Sequence, residues 1–156
     1  MTAMNAHEVV AALIRRGETV ATAESLTAGL VCAALTEVPG SSEVVRGGLV
    51  VYATDLKATL AGVDPDLLAA RGAVDPEVAA QLAAGARTRC GADWGLGLTG
   101  VAGPAGQDGV SPGTVHVGLA GPAGSITREL RIPGDRAAVR AGSVAAALAL
   151  LGEQTT

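Results

Sequence analysis

At 156 residues, 49% of them hydrophobic and with a mean hydropathy of +0.40, the chain has the size of one domain and enough apolar side chain for a core. Its net charge of −4, its scattered arginines and its near lack of aromatic residues exclude a basic nucleic-acid surface. No apolar run approaches the ~20 residues of a membrane span and the opening carries no signal-peptide cleavage pattern, so a soluble cytoplasmic chain is expected, folded as a single domain over residues 1–156.

In chain order, apolar Val9, Val10, Leu13 and Ile14 recur at helical spacing and predict a helix from residue 4 to 16, stopped by Gly17. TVATAE (19–24) predicts a buried strand, and LTAGLVCAALTEV (26–38) a mostly apolar helix closed by Pro39-Gly40. GGLVVYA (47–53) has the continuous apolar character of a central strand. The helix expected after it spans 54–63, with Thr54 as its candidate cap. Two further helices open at Asp64-Pro65 and Asp75-Pro76, each with a capping acid before a proline at the first helical position.

ADWGLGLTG (92–100) predicts a strand, and VAGPAGQDGVSPG (101–113) is a loop of the length that in compact domains is usually functional or disordered. GTVHVGLAG and SITRELRI alternate as a hairpin around Gly121-Pro122, and a last helix is expected from Asp135 to Leu151. Strands alternating with helices, then a late hairpin, predict an α/β fold: a three-layer α/β/α sandwich with a mixed sheet.

The candidate chemistry gathers around strand ends. Ser25 lies where TVATAE turns toward the next helix, which would aim its hydroxyl at the carboxyl edge of the sheet; the alternative is that Ser25 or Thr27 merely caps that helix. Lys57 is the single lysine beside ten arginines, in a chain whose composition replaces lysine wherever arginine serves. A neutral amine can act as a general base and a guanidinium cannot, so a retained lysine fits a base, against the alternative of a leftover surface residue. Tyr52 ends the strand leading to Lys57, as a packing residue or as a member of the same site.

Gly95, Gly97 and Gly100 match a dinucleotide fingerprint in spacing only, because no helix opens after them; Gly100 and the 101–104 segment instead offer backbone N–H groups to an anion, or form a plain turn. His116 is read as a satisfied strand histidine and His7 as a helix-surface residue. Cys32 and Cys90 are read as reduced thiols. No cluster of His, Cys, Asp and Glu has metal-ligand spacing, so no metal is expected.

Taken together, TAESLTAGLV (22–31), GGLVVYATDLKATLAGV (47–63), GAVDPEVAAQLA (72–83), LTGVAGPAG (98–106), PGTVHVGL (112–119) and PGDRAAVR (133–140) resemble, in order, the CinA C-terminal family. The resemblance implies an α/β/α fold and a nicotinamide-nucleotide amidase that makes nicotinate mononucleotide and ammonia without a cofactor. It puts the nucleophile at Ser25, the Lys/Tyr pair at Lys57 and Tyr52, and substrate-binding positions at Thr27, Gly100, Gly103, Thr114 and Arg136. The partners expected are a pyridine mononucleotide and further copies of the chain in a homo-oligomer, with no nucleic acid and no membrane. The chain departs from the family pattern at Leu26 and Ala28, where a Cys and a Gly are usual, and at Gln107, where the family shows a Gly. Relatives often carry a second, pyrophosphatase-like domain for which 156 residues leave no room, so a stand-alone form is expected. A non-catalytic nucleotide-binding module and an amidase or esterase for another small substrate are the alternatives.

Overall fold

A computed structural model describes residues 5–156. The elements run α1 (Ala6–Arg16), β1 (Val20–Glu24), α2 (Leu30–Thr36), β2 (Val45–Val50), α3 (Thr54–Thr59), α4 (Pro65–Arg71), α5 (Pro76–Cys90), β3 (Trp94–Gly100), β4 (Thr114–Gly121), β5 (Gly124–Arg131) and α6 (Arg136–Thr155). The sheet order is β2-β1-β3-β4-β5, with β1 parallel to β2 and β3, and β4 antiparallel to β3 and β5. The mixed sheet lies between two helical layers, the expected three-layer α/β/α sandwich.

Local sequence sets most of the boundaries. Asn5 and Glu8 form a reciprocal capping box at α1, whose predicted start at residue 4 lies outside the described residues, and Gly17 closes that helix in a left-handed conformation. The Asp64, Asp75 and Asp135 carboxylates cap α4, α5 and α6. The hairpin closes with Gly121 opposite Gly124, across Pro122 and Ala123.

The two faces of the sheet are filled differently. On one, Val9 and Leu13 of α1, Val31 and Leu35 of α2 and Leu150 and Leu151 of α6 bury against Val20, Leu96, Leu98, Val117 and Leu119. On the other, α5 lies on the sheet backbone itself: a Cβ at Gly97 would stand 2.5 Å from the Ala79 carbonyl oxygen, and Gly95 and Gly118 are as crowded by Ala83 and Ala79. Gly95 and Gly97 of β3 therefore serve helix–sheet contact rather than a dinucleotide loop, as the missing helix after Gly100 indicated.

Several expectations are corrected. The helix predicted over 26–38 starts only at Leu30; residues 25–29 form a turn in which Ala28 (φ +48°) and Gly29 (φ +97°) adopt left-handed backbone. β2 is an edge strand with alternating exposure, not a central one, because β1 pairs it on one side only. The helix expected over 54–63 ends at Thr59, and Ala53, not Thr54, stands at its cap position. α6 continues past Leu151 to Thr155, since Gly152 is buried and helical.

Candidate active site

Outward from β1 the chain crosses to β2 on one side, whereas β3 lies on the other, so the carboxyl ends of these parallel strands open a crevice at a topological switch point. Glu24 stands opposite both Val50 and Leu98 in the sheet register, which brings together the segments that follow: residue 25, residues 51–54 and residues 99–103. Between them lies a cavity of about 570 Å³ whose wall includes Ser25, Leu26, Tyr52, Gly100, Gly103 and Arg136. Of the sequence-predicted site residues, Ser25, Tyr52, Gly100, Gly103 and Arg136 thus share one wall; Lys57, Thr27 and Thr114 are buried next to the same strand ends but outside that wall.

Ser25 is 7% exposed and caps nothing, because the cap position of α2 falls at Gly29; Thr27 does not cap α2 either. The Ser25 N–H donates to the Leu98 carbonyl at 3.0 Å, pinning the serine to β3.

Lys57 is 1% exposed, which removes the surface-lysine alternative. Its Nζ donates to the Val51 carbonyl at 2.9 Å and the Tyr52 carbonyl at 3.1 Å, and burial pulls its pKa down to about 8. A neutral amine has two hydrogens and one lone pair, so two carbonyl acceptors use its hydrogens and leave the lone pair for a proton. The amine is coupled to the serine strand through one residue: Val51 accepts from Lys57 through its carbonyl and donates its N–H to the Glu24 carbonyl at 2.9 Å.

Arg136, at the start of α6, ties the cavity mouth together. Nη1 donates to the Gly103 carbonyl at 2.7 Å and Nη2 to the Tyr52 hydroxyl at 3.0 Å. Tyr52 is well exposed, and this bond orients its phenol across the opening. Four positions further along α6, Arg140 Nε donates to the Leu26 carbonyl at 2.9 Å, steadying the serine turn.

Thr27 is fully buried and its hydroxyl donates to Glu24 at 2.7 Å. Thr114 is 2% exposed, and its Oγ1 has no partner among the described residues. His116 was expected to be satisfied, yet its Nδ1 is buried without a partner among them, while its Nε2 lies 3.8 Å from the Glu129 carboxylate across the strand pair. Burial holds its pKa below the ordinary histidine value. Residue spacing could not reveal Glu129 as its neighbour.

Sequence reasoning passed over Glu24 and Arg140. Glu24 is fully buried at the end of β1. The available signal was an acid inside the otherwise uncharged strand TVATAE, since buried carboxylates occur only where donors surround them.

A mixed sheet between helical layers, with a cavity at its switch point, defines an α/β/α domain whose open crevice lies where such sheets bind ligands. The chain belongs to the CinA C-terminal domain family, whose sequence pattern matches residues 2–155. It is 52% identical over 143 residues to a CinA-like protein of Frankia casuarinae, covering 92% of this chain and 33% of that one, and 48% identical over 150 residues to one of Mycolicibacterium paratuberculosis, covering 92% and 34%. The chain thus spans about a third of the length of the curated relatives it matches. Among solved structures it is similar to a competence/damage inducible protein, CihA, of Agrobacterium tumefaciens, with a TM-score of 0.93 and 36% identity over 97% of this chain and 93% of that one. A CinA superfamily protein from Klebsiella pneumoniae gives a TM-score of 0.93 and 34% identity over 96% and 94%. Among the described residues no helix is long and apolar enough to cross a membrane.

Proposed function

We propose that this domain is a nicotinamide-nucleotide amidase that hydrolyses nicotinamide mononucleotide to nicotinate mononucleotide and ammonia, with Ser25 as nucleophile and Lys57 as base. The observation that carries the reading is the Lys57 amine: buried, lowered to about pKa 8, its hydrogens taken by two carbonyls beside the strand that presents an uncapped serine to a cavity. A domain that only binds ligands has no need of such an amine.

In the proposed reaction, neutral Lys57 takes the Ser25 proton as Oγ attacks the carboxamide carbon. Backbone N–H groups of the cavity wall hold the oxyanion. The tetrahedral intermediate collapses as the lysine ammonium returns the proton to the leaving nitrogen, and ammonia departs. Water then attacks the acyl-serine by the same proton path, releasing the carboxylate. Among the described residues Arg136 is the one cation in the cavity wall; two of its five N–H groups are engaged there, and the others are left for a phosphate. Gly100 and Gly103 bound the substrate, Tyr52 orients it, and Thr27 and Thr114 support the wall from behind. No cofactor takes part, the domain acts as one unit, and copies associate as homo-oligomers in the cytoplasm.

The test is ammonia release, measured by a coupled assay, from nicotinamide mononucleotide, the riboside, free nicotinamide and unrelated small amides. The expected result is release from the mononucleotide at far higher kcat/KM than from the others, because remote binding of the phosphate contributes to the transition state. Preference for another amide would reassign the substrate, and silence on the whole panel would overturn the enzymatic reading.

A further inference from the structure

We propose that Glu24 is a positioning residue for the nucleophile, an inference that rests on Ser25 being the attacking group. Glu24 is fully buried, and four donors converge on its carboxylate. Oε1 accepts from Thr27 Oγ1 at 2.7 Å and from the Val31 N–H at 2.9 Å; Oε2 accepts from Thr22 Oγ1 at 2.9 Å and from the Cys32 N–H at 3.1 Å. Each oxygen therefore faces one hydroxyl and one backbone N–H.

That arrangement dictates the side chain. A hydroxyl can rotate to accept, whereas a backbone N–H can only donate. A glutamine, whichever way its amide is turned, would set its NH₂ against one of the two backbone donors. An aspartate is a methylene too short to span from β1 to the first turn of α2.

The two backbone bonds close a ring around the nucleophile. Residues 25–30 lie between Glu24 and its partners Val31 and Cys32, so the carboxylate fixes the far end of the turn while the Ser25 N–H bond to Leu98 fixes the near end. Inside the ring the chain must pass through left-handed backbone at Ala28 and Gly29, a conformation that an alanine does not hold unaided. The carboxylate takes the Val31 and Cys32 N–H groups of α2 and the Thr27 carbonyl takes that of Leu30, so the first turn of the helix has none to give a substrate. The Leu26 N–H, next after the nucleophile, makes no hydrogen bond among the described residues and belongs to a cavity-wall residue, which makes it the donor that the turn offers to an oxyanion.

A fluorophosphonate probe tests this independently of the substrate: Ser25 Oγ forms a bond to phosphorus as the P–F bond breaks, fluoride leaves with the electron pair, and the base takes the proton. Labelling of Ser25 is followed by mass spectrometry, beside thermal melts, for the unaltered chain, Glu24→Gln, Thr27→Val and Leu151→Ala. Leu151 is fully buried on the inner face of α6 and its truncation matches a loss of stability without touching the turn. The expected result is a roughly 100-fold slower labelling of Glu24→Gln, the scale of a small misplacement of a reacting group, with Thr27→Val between it and the unaltered chain. Leu151→Ala should melt lower yet label at the original rate. Folded Glu24→Gln labelling at that rate would overturn the proposal and leave Ser25 as nucleophile; failure of the unaltered chain to label at Ser25 would remove both. Slowing of Leu151→Ala in proportion to its lost stability would also overturn it, by showing that labelling follows stability alone. Should Glu24→Gln not fold, Thr27→Val decides: labelling at the original rate rejects the positioning role, and slowing in a folded protein supports it.

Discussion

The two ends of the parallel strands use polar side chains in opposite ways. At the amino end, Asp93 Oδ2 accepts from both the Thr19 N–H and its hydroxyl, at 2.8 and 3.1 Å, the Asp93 N–H donates back to Thr19 Oγ1, and Arg87 Nε donates to the Asp93 carbonyl. Trp94 Nε1 donates to Glu18, whose carboxyl is held below its usual range by the bonded Arg16 guanidinium. These groups satisfy one another. At the carboxyl end the Glu24 carboxylate is likewise satisfied, but beside it Ser25 faces a cavity and Lys57 is gripped only by carbonyls that leave its lone pair free. A closed polar network holds structure together, and an open one is kept for something that arrives later.

The largest expected effect that tests this contrast is at Lys57. Lys57→Met retains much of the side-chain volume and removes the buried amine, so kcat should fall by ~10³-fold while the melting temperature near pH 7 does not fall, because the penalty of burying a charge leaves with the amine. Arginine, the conservative exchange that a surface position would accept, should destabilise here, because a 1%-exposed site has no room for a larger and permanently charged group. A stable, active methionine variant would break the contrast.

Next in size is the effect of pH. Only the neutral amine is a base, so kcat/KM should rise about tenfold per pH unit up to about 8 and then level off, as a rate profile would reveal. The stability effect has a defined sign. The folded-state pKa lies below the unfolded value of ~10.4, so the unfolded chain binds more protons between the two, and stability relative to Lys57→Met should increase with pH across that window. Below about 8 the penalty of burying the charge is present in full.

At the closed end the expected outcome is reversed. Asp93→Ala should cost about 2 kcal/mol in urea melts by stranding the Thr19 donors, with kcat unchanged. The smallest effect is expected at Ala28→Gly, which relieves left-handed backbone and should add about 0.5–1 kcal/mol to stability with little change in labelling or turnover.

Much of the architecture was legible because it is written locally. The Asp-Pro pairs gave two helix starts, alternation gave the hairpin, and the absence of a helix after Gly100 ruled out a dinucleotide loop. The break at residues 25–29 was not legible: apolar spacing continues through LTAGLV, and periodicity carries no information on the sign of φ. Composition singled out Lys57, but its burial depends on carbonyls presented by the preceding strand. Contacts such as Arg136 with Tyr52 and Thr99 with Ala73 join residues far apart in sequence, and no motif announces them.

The glycines of β3 and β4 also bear on the cavity. Ala73 and Val74, just ahead of α5, line it, and the Ala73 carbonyl accepts from Thr99 Oγ1 at 2.7 Å. With α5 seated on the sheet backbone at Gly95, Gly97 and Gly118, the depth of that wall is gauged by the thickness of one missing methyl group. Any side chain introduced there would act as a shim, lifting the helix and tilting the loop that leads into it. The fit of a ligand is thus calibrated from positions it never touches, and a single carbon atom behind the sheet is enough to detune it.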